Sequence, residues 1–311
     1  MKGLVRPIVA SLSLLLALPV EGQRDIASEI TSSAGGNVHY VVRVPAANAG
    51  ARRPLVLVLH GCAQDIRQIA LGTGFSAAAD SLGFLVLYPE QSASANPAKC
   101  WRWFEPAHQS RGGGEPLLLA ELTRSVAREF GADTSRIFVA GLSAGAAMAV
   151  NLLAAYPELF AAGAAHSGIA YRAAAGIVPA LATMKSGVPN GAVAELPITT
   201  VSSPPARLLV LQGSRDSVVA PINGEQLTRQ WVRAQEKSRG ERLRSRDYVA
   251  RVGGRAADVR TFADGRSVLV ESWLVHDLGH AWSGGSLAGS YTDAIGPSAT
   301  ATILRFFGLT R

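Results

Sequence analysis

Gly141-Leu142-Ser143-Ala144-Gly145 constrains this chain more than any other stretch. The residues before it, Arg136-Ile137-Phe138-Val139-Ala140, form a short apolar run, the pattern of a strand buried in a parallel sheet. The residues after it are alanine-rich and favour helix as far as Tyr156. A serine held in a sharp turn between such a strand and such a helix stands exposed, in a strained conformation, at the positive end of the helix. Gly141 and Gly145 suit that geometry because a side chain at either place would meet the neighbouring strand or helix. The bare pattern decides little. With 32 glycines in 311 residues, and serine nearly as frequent, Gly-x-Ser-x-Gly arises by chance about 0.3 times in such a chain. A turn built of small residues for packing alone reads the same way, so the weight falls on context and on partners elsewhere.

The context is a regular alternation. Residues 37–45 alternate polar and apolar and are expected as a strand near a sheet edge. Residues 54–60 are a continuous apolar run, the mark of a strand buried on both faces. Residues 66–82 read as helix and 83–88 as the next buried strand. A long loop over 89–114 contains Cys100-Trp101-Arg102-Trp103-Phe104, and a helix over 115–130 leads back to the strand before Ser143. Beyond the central helix, 161–166 is a small-residue strand. Residues 171–206, rich in Ala, Gly and Pro, read as a lid-like excursion over the top of the sheet. A buried strand at 207–211, a helix at 224–237, strands at 246–252 and 267–275 and a helix at 297–307 complete the chain. Apolar runs alternating with helices imply βαβ units and a parallel sheet. With no internal repeat and no linker, residues 23–311 are expected to form a single α/β domain.

Composition narrows the setting. Lys2 and Arg6 precede an apolar run over 8–18, and the small residues Val20 and Gly22 follow Pro19, which is the layout of a secretory signal peptide over residues 1–22. It is too short and wrongly flanked for a membrane span, and no other stretch is long and apolar enough to be one. Export to the periplasm or the medium is therefore expected, with no membrane attachment after cleavage. The formal net charge of +7 owes much to arginines within 229–260, read as a solvated helix face and loop. Aromatic residues are not interleaved with them, so nucleic acid is not an expected partner. In an exported chain the two cysteines, Cys62 and Cys100, suggest a disulfide. A metal site would need more ligands at closer spacing, and neither metal nor cofactor is expected.

Three loops at the carboxyl ends of the expected strands carry Ser143, Asp216 and His280, where open α/β sheets place their sites. The order Ser, Asp, His along the chain is that of an α/β-hydrolase fold, a mostly parallel central sheet with helices on both faces. Acyl transfer needs a hydroxyl nucleophile, an imidazole to take its proton, and a carboxylate to hold the imidazole in the right tautomer. Asp277 and Asp293 compete with Asp216, and His276 with His280; Asp216 follows a strand end at a suitable distance, and His280 lies in a loop between Gly279 and Ala281. His276 sits close to its strand and is expected to be packed or structural. Oxyanion donors are expected from the backbone N–H of Ala144, next after the nucleophile, and of Cys62, after His60-Gly61. His60 itself reads as a buried structural side chain.

The segments Pro54-Leu-Val-Leu-Val-Leu-His-Gly-Cys-Ala-Gln64, Cys100-Trp101-Arg102-Trp103-Phe104, Gly141 through Met148 and Gly279-His280-Ala281-Trp282-Ser283-Gly284-Gly285 resemble the poly(3-hydroxybutyrate) depolymerase family of esterases, relatives of the feruloyl and acetylxylan esterases of carbohydrate esterase family one. Tyr-Pro-Glu at 88–90 and Tyr291-Thr292-Asp293 fit as well, and the likeness covers about residues 36–308. It implies Ser143 as nucleophile, Asp216 as orienting acid, His280 as base, Cys62 and Ala144 as oxyanion donors, and a Cys62–Cys100 bond. Asp277 departs from the small residue expected there. No Thr-rich linker or polymer-binding module accompanies the domain in this sequence, so soluble hydroxybutyrate oligomers and short-chain esters are the expected substrates, ahead of crystalline polymer. A feruloyl or acetylxylan esterase, or a catalytically silent binding protein of the same fold, are the alternatives. Trp101, Trp103 and Trp282 border the expected site and are read as an apolar wall for the substrate.

Overall fold

A computed structural model describes residues 23–33, 35–46, 52–197 and 204–310. The signal-peptide segment lies outside the described residues, as do 198–203 of the excursion. The apolar runs assemble into one ten-stranded sheet. Its strands are β1 (Arg24–Thr31), β2 (Asn37–Val44), β3 (Arg53–Leu59), β4 (Leu85–Glu90), β5 (Ala132–Leu142), β6 (Ala162–His166), β7 (Arg207–Gly213), β8 (Arg244–Val252), β9 (Arg255–Ala263) and β10 (Val268–Val275). The spatial order is β1-β2-β4-β3-β5-β6-β7-β10-β9-β8. The six central strands, β4 to β10 in that order, pair in parallel, and the two on either side pair antiparallel.

Burial explains the division. Leu55, Val56, Leu57, Val58 and Leu59 of β3 have no exposed surface, as a strand sandwiched between helices requires. Their alternate side chains feed two separate cores. On one face pack α3 (Gly114–Glu129), α4 (Ala144–Ala155) and α6 (Ile222–Arg239); on the other pack α1 (Ile66–Thr73), α2 (Phe75–Leu82) and α7 (Ala299–Phe307). This is the α/β-hydrolase fold.

Three elements differ from the sequence expectation. The helix expected over 66–82 is two, because Gly74 adopts φ 72° and serves as the end of α1 and the start of α2. The arginine-rich 229–260 stretch is α6 followed by the β8–β9 hairpin, turned by Gly253 and Gly254 at positive φ, with Arg260 paired to Asp247 across the strands. β1 is an added edge strand on β2. The 171–206 stretch carries α5 (Ile177–Ser186), held to α6 by Gln230, which bonds both the N–H and C=O of Tyr171, and by Gln226, which does the same for Val188.

Candidate active site

β5, β6 and β7 are neighbours in register, and Leu142, His166 and Leu211, at or near their carboxyl ends, lie side by side. Ser143 follows the first of them with φ 57° and ψ −120°. For a residue with a side chain this is a strained turn, at a cost of roughly 1–3 kcal/mol. The surroundings enforce it. A Cβ on Gly141 would stand 2.4 Å from the Gly145 carbonyl carbon, and one on Gly145 would stand 2.3 Å from the Leu59 carbonyl oxygen. Strand and helix therefore cross at a separation that only two glycines permit, and the chain between them has no gentler path. The Ser143 N–H donates to the His166 carbonyl at 2.9 Å.

Asp216 lies in the loop after β7 and is 3% exposed. Its Oδ1 accepts the backbone N–H groups of Val218 and Val219 at 3.0 and 2.8 Å. Its Oδ2 accepts the Gln212 amide at 3.2 Å and faces His280 Nδ1 at 2.8 Å. Burial pushes this carboxyl up, but the bonds from His280, Val219 and Ser167 outweigh it and hold the group below the usual carboxylate range. With Nδ1 directed at an anion, the proton of a neutral His280 sits there, and Nε2 keeps its lone pair. The two loops are sewn together: Ser214 N–H bonds the Val275 carbonyl, Arg215 N–H the Leu278 carbonyl, and Asp277 N–H the Ser214 hydroxyl, each at 2.9 Å. A Cβ on Gly213 would lie 2.3 Å from the Leu278 oxygen, so this crossing too is built on glycine.

A third loop closes on Ser143 from β3. A Cβ on Gly61 would stand 3.5 Å from that of Ser143. Gln64 holds this turn by accepting the Gly61 N–H at 2.8 Å, and His60 holds it by pairing Nδ1 with the Gly61 carbonyl at 2.7 Å while Nε2 accepts the Gln91 N–H. His60 is wholly buried, and burial pushes its pKa down. Among the described residues the N–H groups of Cys62 and Ala144 have no acceptor in the protein. Cys62 is disulfide-bonded to Cys100, and the Ala63 N–H donates to the Ala98 carbonyl beside the bridge at 2.8 Å.

The rivals of Asp216 and His280 are engaged elsewhere. His276 pairs with Asp258 at the surface, 42% exposed and not packed; Asp277 pairs with Arg215; Asp293 pairs with Arg255. Trp101, Trp103 and Trp282 are buried, with 0%, 5% and 1% exposure. Two of them have found interior acceptors for their indole N–H: the His60 carbonyl for Trp101 and the Thr300 hydroxyl for Trp282. The Trp103 carbonyl takes the Gln109 and Asn151 amides. Exposed apolar groups beside the carboxylate–imidazole pair are Tyr291, its ring 6.4 Å from that of His280, and Val218. Among the described residues no group of three or more His, Cys, Asp or Glu side chains is placed to hold a metal ion, and no helix is long and apolar enough to cross a membrane.

A strained serine between strand and helix, with an imidazole–carboxylate pair on the loops of the next strands, is the site layout of an α/β-hydrolase. Residues 38–242 match the family model described as "Esterase PHB depolymerase", and the chain belongs to that family of esterases. It is 32% identical over 250 residues to poly(3-hydroxyalkanoate) depolymerase C of Paucimonas lemoignei, covering 79% of this chain and 58% of that protein. It is 36% identical over 132 residues to feruloyl esterase B of Neurospora crassa, covering 42% of this chain and 44% of that one. The chain thus spans about half the length of these curated relatives. Among solved structures, an acetyl xylan esterase from Aspergillus awamori superposes with a TM-score of 0.66 at 20% identity, covering 92% of this chain and all of the other.

Proposed function

We propose that this esterase is an exported serine hydrolase that cleaves carboxylic esters through an acyl-enzyme. The observation that carries the reading is the 2.8 Å pairing of His280 Nδ1 with buried Asp216 on the loops beside the Ser143 turn. In this reading Ser143 Oγ attacks the ester carbonyl and His280 Nε2 takes its proton. The N–H groups of Ala144 and Cys62, which lack acceptors among the described residues, stabilise the tetrahedral oxyanion. As the intermediate collapses, His280 returns the proton to the departing alcohol oxygen. Water then repeats the sequence on the acyl-enzyme, releasing the acid and regenerating Ser143. Asp216 stays ionised throughout and stabilises the imidazolium.

Kinship with a polyhydroxyalkanoate depolymerase supports hydroxyalkanoate oligomers and short-chain esters as the substrates. Fluorophosphonate labelling of the purified chain tests the mechanism: one adduct, on the peptide containing Ser143, is expected. Absence of labelling while ester hydrolysis proceeds would refute it. A panel of soluble hydroxybutyrate oligomers, acetylated xylo-oligosaccharides and feruloyl esters tests the substrate class, with the highest kcat/KM expected on the first.

A further inference from the structure

His166 ends β6, between the strand that leads to Ser143 and the strand that leads to Asp216. Its carbonyl holds the Ser143 N–H, but its side chain, wholly buried, has no part in the acyl-transfer scheme above. A buried imidazole needs partners for both nitrogens. Nε2 meets the backbone N–H of Ser283 at 3.2 Å. A backbone amide only donates, so Nε2 accepts and the ring proton sits on Nδ1. Nδ1 lies 3.3 Å from Ser167 Oγ, which must then accept from it. The Ser167 hydroxyl hydrogen is left for the Asp216 carboxylate, which Ser167 helps to hold below the usual carboxylate range. One amide thereby sets the direction of a whole chain of bonds, from Ser283 through His166 and Ser167 to Asp216 and His280.

Two independent features hold this arrangement in place. The Trp282 ring stacks on His166, with centroids 5.2 Å apart and planes 26° from parallel, and keeps the imidazole from turning. Ser167 has φ 54°, a left-handed conformation that a serine adopts at a cost. The titratable groups acting on His166 are His280 and Asp216. Asp216 is also faced by the Gln212 amide and the Val218 and Val219 N–H groups, His280 by Tyr291, and the Arg215–Asp277 ion pair lies on the surface beside them.

We propose that His166 is a positioning residue: as its Nδ1-protonated tautomer it aims the Ser167 hydroxyl hydrogen at Asp216, and so orients the carboxylate that orients His280. The proposal rests on the reading of Ser143, Asp216 and His280 as the triad. Its test is the pH dependence of kcat/KM for a short-chain ester, measured on the full chain and on Ser167→Ala, His166→Phe, His166→Asn and Ser143→Ala. Removing the Ser167 hydrogen bond leaves more negative charge on Asp216, which strengthens its hold on the cationic form of the base. Ser167→Ala and His166→Phe should therefore move the acid limb up by about half to one pH unit. They should also lower kcat by about tenfold, with KM changed by less than about twofold. His166→Asn, whose amide can still donate to Ser167, should return the limb to its original place. A structural role alone would lower activity at every pH without moving the limb. Ser167→Ala removes one buried hydroxyl and tests the relay even if His166→Phe does not fold. A wild-type acid limb in Ser167→Ala, or identical behaviour of His166→Phe and His166→Asn, overturns the proposal. If Ser143→Ala retains turnover, the triad reading itself falls; if it is inactive while Ser167→Ala matches wild type, only the relay falls.

Discussion

His280 and His276 are four residues apart and both meet a carboxylate, yet their surroundings differ in kind. His280 is 9% exposed on a carboxylate with no exposed side-chain surface, whereas the His276–Asp258 pair is 42% and 57% exposed. A solvated pair of that sort contributes at most about 1 kcal/mol and positions nothing. The buried pair sets a tautomer. Asp216→Asn should keep the loop geometry while directing an amide hydrogen at Nδ1, favouring the wrong tautomer, so kcat should fall by roughly 10³–10⁴. His280→Ala should fall at least as far, and His276→Ala should stay within about twofold of wild type. Steady-state kinetics on one soluble ester decide this, and an active His280→Ala beside an inactive His276→Ala would reverse the assignment.

At the scale of elements, the turn after β3 depends on a covalent tie. Cys62 belongs to the loop against Ser143, and Cys100 to the 89–114 loop, which is anchored inward by buried Glu115 through the Arg102 N–H and the Gln91 amide. The bridge spans a sequence separation of 38 residues. In the chain-entropy account such a closure contributes about 4 kcal/mol. Cys62→Ala with Cys100→Ala keeps the backbone N–H at position 62 but frees its placement. We expect a lower Tm together with a lower kcat at a temperature where circular dichroism shows the protein still folded; unchanged kcat there would separate the bridge from the site. The central strands, this pair of cysteines and the meeting of Asp216 with His280 are legible in the sequence, because continuous apolar runs mark buried strands and the loops that follow them must emerge at one edge. β1 and β9 are not legible: Arg24-Asp-Ile-Ala-Ser-Glu-Ile-Thr31 is an exposed edge strand whose pairing, not its hydrophobicity, makes it a strand. The burial of each tryptophan is equally hidden, since it depends on acceptors elsewhere in the chain, such as the His60 carbonyl for Trp101. His166 escapes for the same reason, its amide partner being 117 residues away.

The whole molecule carries its site on buried imidazoles that the fold keeps uncharged, and this makes its stability depend on pH. Burial, reinforced by the nearby His280, pushes the pKa of His166 from its ordinary 6.5 down to about 3, and burial lowers His60 as well. Below pH 6.5 the unfolded chain takes up protons at these positions more readily than the folded protein does. The unfolded state therefore binds more protons, and stability rises with pH through this window. The contribution is fully present above about pH 6.5 and is lost progressively as pH falls toward 3. For His166 alone the loss at pH 5 is about 2 kcal/mol, an appreciable part of the 5–15 kcal/mol that holds a typical domain together. Asp216 and Glu115, kept below the ordinary carboxylate range by their hydrogen bonds despite burial, add a loss of the same sign only at lower pH, where unfolded carboxylates protonate. Urea unfolding followed by tryptophan fluorescence should show the midpoint dropping between pH 7 and pH 5. His166→Asn, which cannot titrate, should shrink that drop by about 2 kcal/mol and leave the part owed to His60. An equal drop in the variant and the wild type would mean that His166 is not the buried neutral base that the fold makes it.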